Sequence, residues 1–422
     1  MIERLSYSFE EDIYHNLPEH LATQEFGQLQ GLFDNLEAWT AHPTGGDARI
    51  REFAFAGRYL IATDDRVRAS LGFMLDFRNE RNRPTTPLYA INHWLRTTQH
   101  HLRDRADYAE LSTTAEGWAE GIQELLNNKW NHDAYDSDLA LREVQTNVPA
   151  RYKGPQLILA LYGNRFDRPI NYLDIGTSIG AGAKGLMTNK LEKDIRVVIP
   201  VPGDVPNSAK ANLEESLPLT THINRLLGSP LEFGPSAAVD IMGVQDTGQG
   251  KWIKSCFYPS EIAENTDAIK DFDELTQESV PNLILSTLDF TDNDGVDDFI
   301  KVKSPVEKYD VITILTMLHQ LREDEVASVL ANAKKALAPD GLIIVQDFAR
   351  TNPKAANGLE FPEKWHPYSY RSILIDPGSG SDDPVELLWW QSGRCREVII
   401  APSATFFAAR PSLENNNLKY GV

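Results

Sequence analysis

The fold is decided by residues 171–182, which read NYLDIGTSIGAG. An apolar run meets the acidic residue Asp174, and a loop of small residues with glycines at 176 and 180 follows it. Glycine lets the backbone adopt positive φ angles and approach a ligand closely. The residues from Lys184 onward are helical in character, so the stretch predicts a strand–loop–helix unit of the kind at which doubly wound folds bind ligands.

Short apolar runs rich in β-branched residues alternate with helical stretches after residue 150, and this alternation predicts a mainly parallel sheet covered by helices. The predicted core strands are 172–175, 238–241, 282–285, 309–314 and 342–345. Two later runs, 370–375 and 397–400, predict a closing hairpin. The proline-bearing stretch 187–236 is interpreted as an insertion with a strand of its own at 195–199.

The chain has 422 residues, more than one ordinary domain contains. Residues 1–150 interleave charged and apolar residues at helical spacing. They predict a mostly helical N-terminal domain that caps the substrate site or mediates oligomerisation. Residues 151–410 are the predicted ligand-binding α/β domain, with the insertion inside it, and 411–422 form a C-terminal tail.

Composition excludes several classes of protein. A formal net charge of −20 repels phosphate backbones, so nucleic acid is a poor substrate. Two cysteines make no disulfide framework, and no Cys/His spacing resembles a zinc site, so we expect no metal. Neither an apolar signal segment nor a run of about 18 apolar residues is present, so we expect a cytoplasmic protein without a membrane span.

Residues 165–350 resemble the class I S-adenosylmethionine-dependent methyltransferases, motif by motif and in the right order. Asp174, Gly176 and Gly180 match the acidic residue and two of the glycines of the first motif, while Ser178 stands where the family has its middle glycine. The resemblance implies a doubly wound, mainly parallel seven-stranded sheet. It also implies S-adenosylmethionine as the cofactor, with the loop from Gly176 through Thr177 to Gly180 facing it.

A dinucleotide site is the main alternative for this loop. Residues 180–185 read GAGAKG, which fits G-x-G-x-x-G. These glycines lie too far past the end of the strand, and the acidic residue two positions before Gly176 is not part of that pattern.

The resemblance continues at the second and third strands. Asp240 matches the acidic residue that accepts hydrogen bonds from the two ribose hydroxyls of the cofactor, a task that suits a carboxylate because it offers only acceptors. Asp194 and Asp204 are alternatives if the insertion is wrongly bounded. Asp289 matches the acidic residue that faces the adenine amino group, and the backbone amide of Phe290 would face a ring nitrogen.

Residues 309–321 resemble the fourth-strand motif, which often ends in Leu-His, and 336–344 resemble the turn into the fifth strand. Thr316 and Met317 are predicted to line the cofactor near its sulfur; ordinary packing is the alternative. His319 is the candidate general base, since it follows the carboxyl end of a core strand. The alternative is a structural histidine that caps a helix.

Aromatic residues follow the fifth predicted strand, where the family often builds the wall of its substrate site. Phe348, Trp365, Tyr368 and Tyr370 are the predicted acceptor-binding residues, and aromatic faces also favour a cationic sulfonium. The alternative is packing beneath a long loop. The adjacent pair Trp389 and Trp390 is predicted to lie in the core.

The sequence therefore predicts a methyltransferase that acts by in-line transfer to an oxygen or nitrogen of a small or medium-sized acceptor. The motif Asn-Pro-Pro-Tyr, typical of enzymes that methylate base amines, is absent after the fourth strand. The alternative function is a non-catalytic S-adenosylmethionine-binding protein whose N-terminal domain binds a partner. Homo-oligomerisation through that domain is a further alternative.

Overall fold

The computed structural model describes residues 24–43, 46–80, 86–142, 144, 149–162, 165–191, 194–200, 213–241, 247–348, 370–379, 383–391 and 393–401. The chain divides into two compact units. A helical unit comprises Met1–Thr146 and Gly250–Asp271, and a sheet unit comprises Asn147–Gln249 and Phe272–Val422. The predicted domain limits at 150 and 410, and the role of the N-terminal region, stay predictions.

Seven helices follow one another along the described part of the N-terminal region. They are α1 (Gln24–Ala41), α2 (Ala48–Thr63), α3 (Asp65–Glu80), α4 (Pro87–Leu102), α5 (Tyr108–Leu111), α6 (Ala115–Asn127) and α7 (Lys129–Leu141). Polar caps define where several begin: Asp47, Thr86 and Thr114 accept hydrogen bonds from first-turn amides of α2, α4 and α6. Such caps satisfy amides that lack a helical partner.

Aromatic residues form the centre of the helical unit. The Phe53 ring lies 5.1 Å from the ring of Trp94 and 5.3 Å from that of Trp118, both edge to face. Both indoles are almost fully buried.

Among the described residues, none of the helices combines the length and the apolar character that a membrane span needs.

The remaining helices lie between strands or at their ends. They are α8 (Lys153–Tyr162), α9 (Ala181–Met187), α10 (Leu217–Leu227), α11 (Thr247–Ser255), α12 (Pro259–Glu264), α13 (Asp267–Gln277), α14 (Asn293–Asp298) and α15 (Glu323–Ala336). Short 3-10 turns occupy 149–152, 318–320 and 377–379, and a π-turn occupies 299–303.

Ten described strands form one sheet in the order β3-β2-β10-β9-β8-β7-β6-β1-β4-β5. They are β1 (Tyr172–Ile175), β2 (Arg196–Pro200), β3 (Leu213–Glu215), β4 (Ser236–Asp240), β5 (Leu283–Thr287), β6 (Tyr309–Leu315), β7 (Leu337–Phe348), β8 (Tyr370–Ile375), β9 (Val385–Trp390) and β10 (Glu397–Ile400). Strands β5, β4, β1, β6 and β7 are parallel, as the sequence predicts.

The strand number and the closing hairpin were predicted wrongly. The sheet has ten described strands rather than seven, because β8, β9 and β10 continue it antiparallel from β7, and β2 and β3 extend it further. The runs 370–375 and 397–400 are strands, but β9 lies between them and pairs with both. Trp389 and Trp390 belong to β9 and are buried, which confirms their place in the core.

A half-buried histidine, His100, connects three helices within the helical unit. Nδ1 of His100 on α4 lies 3.2 Å from Ser255 Oγ, and its ring centroid lies 5.5 Å from that of Trp252. Its Nε2 lies 3.9 Å from a carboxylate oxygen of Asp138 on α7. Burial lowers the pKa of His100 from its ordinary 6.5 to about 4, although the Asp138 carboxylate opposes the shift.

We predict that His100 makes the helical unit sensitive to mild acid. Between pH 6.5 and about 4 the unfolded imidazole is protonated and the folded one is not, so the free energy of unfolding falls as the pH falls through this window. The variant His100→Asn should lose less stability than wild type between about pH 7 and about pH 5, measured by urea denaturation. The exposed His42→Asn is the control; equal pH dependence in all three proteins would contradict the prediction.

Candidate functional site

The loop between β1 and α9 holds three residues in the left-handed backbone region. Gly176, Ser178 and Gly180 have φ angles of 77°, 57° and 79°. Ser178 thus adopts the conformation that glycine favours, at a cost on the order of 1–2 kcal/mol for an L-residue. Ser178 stands where the resembled motif has its middle glycine, and the backbone keeps the left-handed conformation there.

Three successive amides of this loop bind the end of β4. The N–H groups of Gly176 and Thr177 donate to the carbonyl oxygen of Val239 at 2.9 and 3.1 Å. The N–H of Ser178 donates to the Asp240 carboxylate at 2.7 Å. The loop is therefore fixed at the carboxyl edge of the parallel strands, where ligands of doubly wound folds bind.

Asp174 lies beneath the loop and is fully buried. Its carboxylate accepts hydrogen bonds from the hydroxyls of Tyr152 and Thr313, each at 2.6 Å. Burial raises the pKa of Asp174, and hydrogen bonds from hydroxyls around it oppose that rise. Both carboxylate oxygens are thus bonded within the protein, and a direct contact between Asp174 and a cofactor stays a prediction.

Two glycines are required by close contacts around the loop. A Cβ atom added to Gly182 would lie 1.8 Å from a carbon of the Tyr152 ring. A Cβ added to Gly176 would lie 2.9 Å from the sulfur of Met317. Because Met317 follows β6, the second contact joins the loop after β1 to the end of the neighbouring strand.

Asp240 is the last residue of β4 and is 8% exposed. Its carbonyl oxygen accepts a hydrogen bond from the Leu288 amide at 2.9 Å, which brings the segment after β5 to the same edge. Asp194, one alternative to Asp240, is exposed and precedes β2, which five strands separate from β1 in the sheet order. Asp204, the other alternative, lies outside the described residues.

Asp289 and Phe290 follow β5. The Asp289 carboxylate accepts hydrogen bonds from the amide and hydroxyl of Thr291 at 2.9 and 2.7 Å. Phe290 is buried, and its carbonyl oxygen accepts a hydrogen bond from the Asn332 side chain at 3.0 Å. The geometry brings both residues to the edge that holds Asp240, and their adenine-binding roles stay predictions.

His319 lies on the 3-10 turn after β6 and pairs with an acidic residue that the sequence analysis missed. Its Nδ1 lies 2.6 Å from Asp347 Oδ1, and its backbone amide donates to Asp347 Oδ2 at 3.1 Å. Burial raises the pKa of Asp347, but the charge and hydrogen bonds of His319 outweigh this and leave it lowered. Asp347 is therefore an ionised partner that orients the imidazole of His319, whose side chain is 28% exposed. The sequence did offer a signal for Asp347, because this acidic residue lies just after the fifth predicted core strand, 342–345.

Two of the four predicted acceptor-binding aromatics come together at the junction of β7 and β8. The ring centroids of Phe348 and Tyr370 are 4.8 Å apart, and Phe348 also lies 5.3 Å from the His319 ring. Trp365 and Tyr368 lie outside the described residues.

The carboxyl edge of the parallel strands thus collects most of the predicted site. This edge holds a glycine-bearing loop, an acidic residue at the end of β4, another after β5, and a His–Asp pair with aromatic neighbours. The acidic residues can accept hydrogen bonds from ribose hydroxyls, and the histidine can accept a proton from a neighbouring group. Within the described ranges, no group of three or more His, Cys, Asp or Glu side chains could hold a metal ion.

The profile of a family described as a methyltransferase domain matches residues 144–394 of the chain. The match covers all ten strands of the sheet except the last, together with the loop and the His–Asp pair. A search of curated proteins finds no match.

The solved structures that match include three at low sequence identity. The plantazolicin methyltransferase BamL, in complex with a triazolic desmethylPZN analogue and SAH, is 12% identical over 60% of this chain and 60% of its own, with a TM-score of 0.24. A pericyclic reaction enzyme is 11% identical over 73% and 55%, with a TM-score of 0.26. LepI in complex with SAM is 13% identical over 78% and 70%, with a TM-score of 0.25. The chain spans 60% of the first structure's length. TM-scores of 0.24 to 0.26 support no conclusion about activity.

We predict that Gly176→Ala destabilises the protein, because a side chain at a φ of 77° is strained and its Cβ would meet Met317. The free energy of unfolding should fall by more than about 1 kcal/mol in urea denaturation. Gly72→Ala in α3 is the control: its Cβ would meet nothing within 4 Å, so stability should rise by about 0.4–1 kcal/mol. A shift in the same direction in both variants would refute the prediction.

Proposed function

Because this chain belongs to the methyltransferase-domain family, we propose that it transfers a methyl group from S-adenosylmethionine to a small or medium-sized acceptor. The observation that carries the proposal is the loop of Gly176–Gly180 bound through its amides to Val239 and Asp240 at the carboxyl edge of the sheet. This edge is where a doubly wound fold binds its ligand.

The donor chemistry of this edge fits the nucleoside part of the cofactor. The Asp240 carboxylate binds the Ser178 amide through one oxygen and has the acceptor capacity to take ribose hydroxyls as well. In the proposal Asp289 and the Phe290 amide bind the adenine, while Thr316 and Met317 lie near the sulfur. Asp174 acts from below the loop, through the bonds that link β1 to Tyr152 and Thr313.

When bound, S-adenosylmethionine supplies a methyl group on a positively charged sulfur, open to in-line displacement by a nucleophilic oxygen or nitrogen. An acceptor hydroxyl or protonated amine must also lose a proton. In the proposal Nε2 of His319 accepts that proton, because Nδ1 is bonded to Asp347 and the Asp347 charge stabilises the imidazolium that forms.

The acceptor is proposed to be small or medium-sized and not a nucleic acid. The net charge of −20 supports the exclusion of polyanions. Phe348, whose ring lies 5.3 Å from that of His319, is proposed to contact the apolar part of the acceptor. Tyr370, which the sequence predicts to bind the acceptor, is fully buried and is proposed instead to support the Phe348 ring.

We predict that S-adenosylmethionine and S-adenosylhomocysteine both raise the midpoint of thermal unfolding, since a ligand that binds only the native state stabilises it. Asp240→Ala should weaken binding in calorimetry by about tenfold or more, because ribose hydroxyls would lose a partner worth about 1–3 kcal/mol. Asp194→Ala, which removes an exposed carboxylate, is the matched control and should bind normally.

A shift of the midpoint by NAD but by neither adenosyl ligand would refute the proposed cofactor. A larger effect at Asp194 than at Asp240 would mean that the ribose-binding residue is misassigned. Binding of the cofactor without methylation of any phenol, carboxylic acid or amine in a metabolite extract would favour the non-catalytic alternative.

We further predict that His319→Gln lowers kcat by about 100-fold or more for an acceptor that must lose a proton, the usual contribution of a general base. Asp347→Asn should lower kcat by a smaller factor, because the imidazole stays but loses its ionised partner. The assay follows labelled methyl transfer to the acceptor found in the extract. His222→Gln, a buried histidine on α10 in the same unit, is the control. If His319→Gln keeps more than about a third of the wild-type kcat, the histidine is structural and not a base.

A further inference from the structure

Thr316, the residue after β6, has a φ of 56°. Such a value is a genuine outlier for a β-branched residue and strains the backbone. It persists only where the surroundings enforce it. The Thr316 amide donates to the carbonyl oxygen of Gln346 on β7 at 2.8 Å, and its hydroxyl lies 2.5 Å from the hydroxyl of Tyr370 on β8.

Tyr370 is a rigid partner for this hydroxyl. It is fully buried, and burial raises the pKa of its hydroxyl, so the group stays neutral and able to donate or accept. Its ring packs against Phe348, the last residue of β7, and lies 5.9 Å from the Arg151 guanidinium. The Tyr370 hydroxyl is therefore fixed before any ligand binds.

The strained residue directly precedes Met317, which contacts the loop after β1. Met317 is the next residue along the chain, and its side chain fills the space in front of Gly176, since a Cβ there would lie 2.9 Å from the Met317 sulfur. A change in the Thr316 backbone would redirect the chain at Met317 and change its contact with the loop.

Tyr370 also contacts the residues on the acceptor side. Its ring packs at a tilt against that of Phe348, with centroids 4.8 Å apart, and the Phe348 ring lies 5.3 Å from that of His319. The contacts thus run without interruption from Gly176 through Met317, Thr316 and Tyr370 to Phe348. Methyl transfer is sensitive to such an arrangement, because a displacement of about 1 Å can cost about 100-fold in rate.

We propose that Thr316 and Tyr370 form a positioning pair, whose hydroxyl–hydroxyl bond holds Met317 against the Gly176 loop and so fixes the cofactor's sulfur side relative to the acceptor. The relation to the cofactor rests on the proposed function. The effect on Met317 is a property of the protein alone, which allows the two to be tested separately.

The test uses the full chain labelled with carbon-13 at the methionine methyl groups. The chain has five methionines, so the Met317 signal is assigned by comparison with Met317→Leu. Tyr370→Phe and Thr316→Val each remove one hydroxyl and keep the size of the side chain, whereas Thr316→Ser keeps the hydroxyl. Tyr309→Phe is the matched control: Tyr309 is buried at the opposite end of β6 and bonds Ser304 at 2.6 Å.

Tyr370→Phe and Thr316→Val are expected to shift or broaden the Met317 signal in the ligand-free protein. They should also weaken binding of S-adenosylhomocysteine, measured by calorimetry, by about fivefold to tenfold, the value of one hydrogen bond. Thr316→Ser, which keeps the hydroxyl, should disturb the signal and the affinity less than Thr316→Val does, and Tyr309→Phe should leave both at wild-type values. Unfolding midpoints measured for all variants identify any loss that comes from instability alone.

The proposal is overturned if Tyr370→Phe leaves the Met317 signal unchanged, or if Tyr309→Phe moves it equally. It is also overturned if Tyr370→Phe moves the signal while S-adenosylhomocysteine binds within twofold of wild type. If wild type itself binds no S-adenosylhomocysteine, the proposed function fails, and the ligand-free Met317 signal alone decides whether the pair positions this residue.

Discussion

The junction between the β1 loop and β4 is the constraint on which the site depends. Three consecutive amides, from Gly176 to Ser178, donate to groups at the end of a single neighbouring strand, and the last of these groups is the Asp240 carboxylate. This arrangement requires left-handed backbone at positions 176, 178 and 180. It also requires β1 and β4 to be parallel neighbours, so that both end at one edge. The order of the central strands and the local conformation of the loop therefore support each other.

Beneath that junction the protein keeps a carboxylate where water cannot reach it. The burial of Asp174 is unfavourable for its charge, and hydroxyls from the turn before α8 and from β6 offset part of that cost, so its pKa stays raised. These partners come from segments far apart in the sequence. The bonds thus link β1, the strand that leads into the loop, to the turn before α8 and to β6. The strand beneath the loop is fixed in this way.

The parallel core was predictable because its strands are short, apolar and rich in β-branched residues, and because polar site residues follow their carboxyl ends. Asp240, Asp289 and Thr316 were proposed as site residues from the resemblance to the methyltransferase motifs, and all three end or follow a strand of this parallel core. What failed depended on pairing: β8 and β10 were recognised as strands, but no local pattern shows that β9 lies between them. Asp347 was overlooked for the same reason. It matters because it pairs with His319, which lies on the turn after the neighbouring strand β6. The grouping of Gly250–Asp271 with the N-terminal helices likewise leaves no mark in the periodicity of the sequence.

The close approach of Tyr152 to Gly182 has a consequence for how this sequence can vary. A Cβ at 182 would lie only 1.8 Å from the ring, so residue 182 cannot gain a side chain while Tyr152 stays in place. Any homologue that carries a side chain at 182 must have a smaller residue at 152. It then lacks the phenol that bonds Asp174 and needs another donor for that buried carboxylate. These three positions should therefore vary together across the family, and an engineered library that randomises one of them should include the other two.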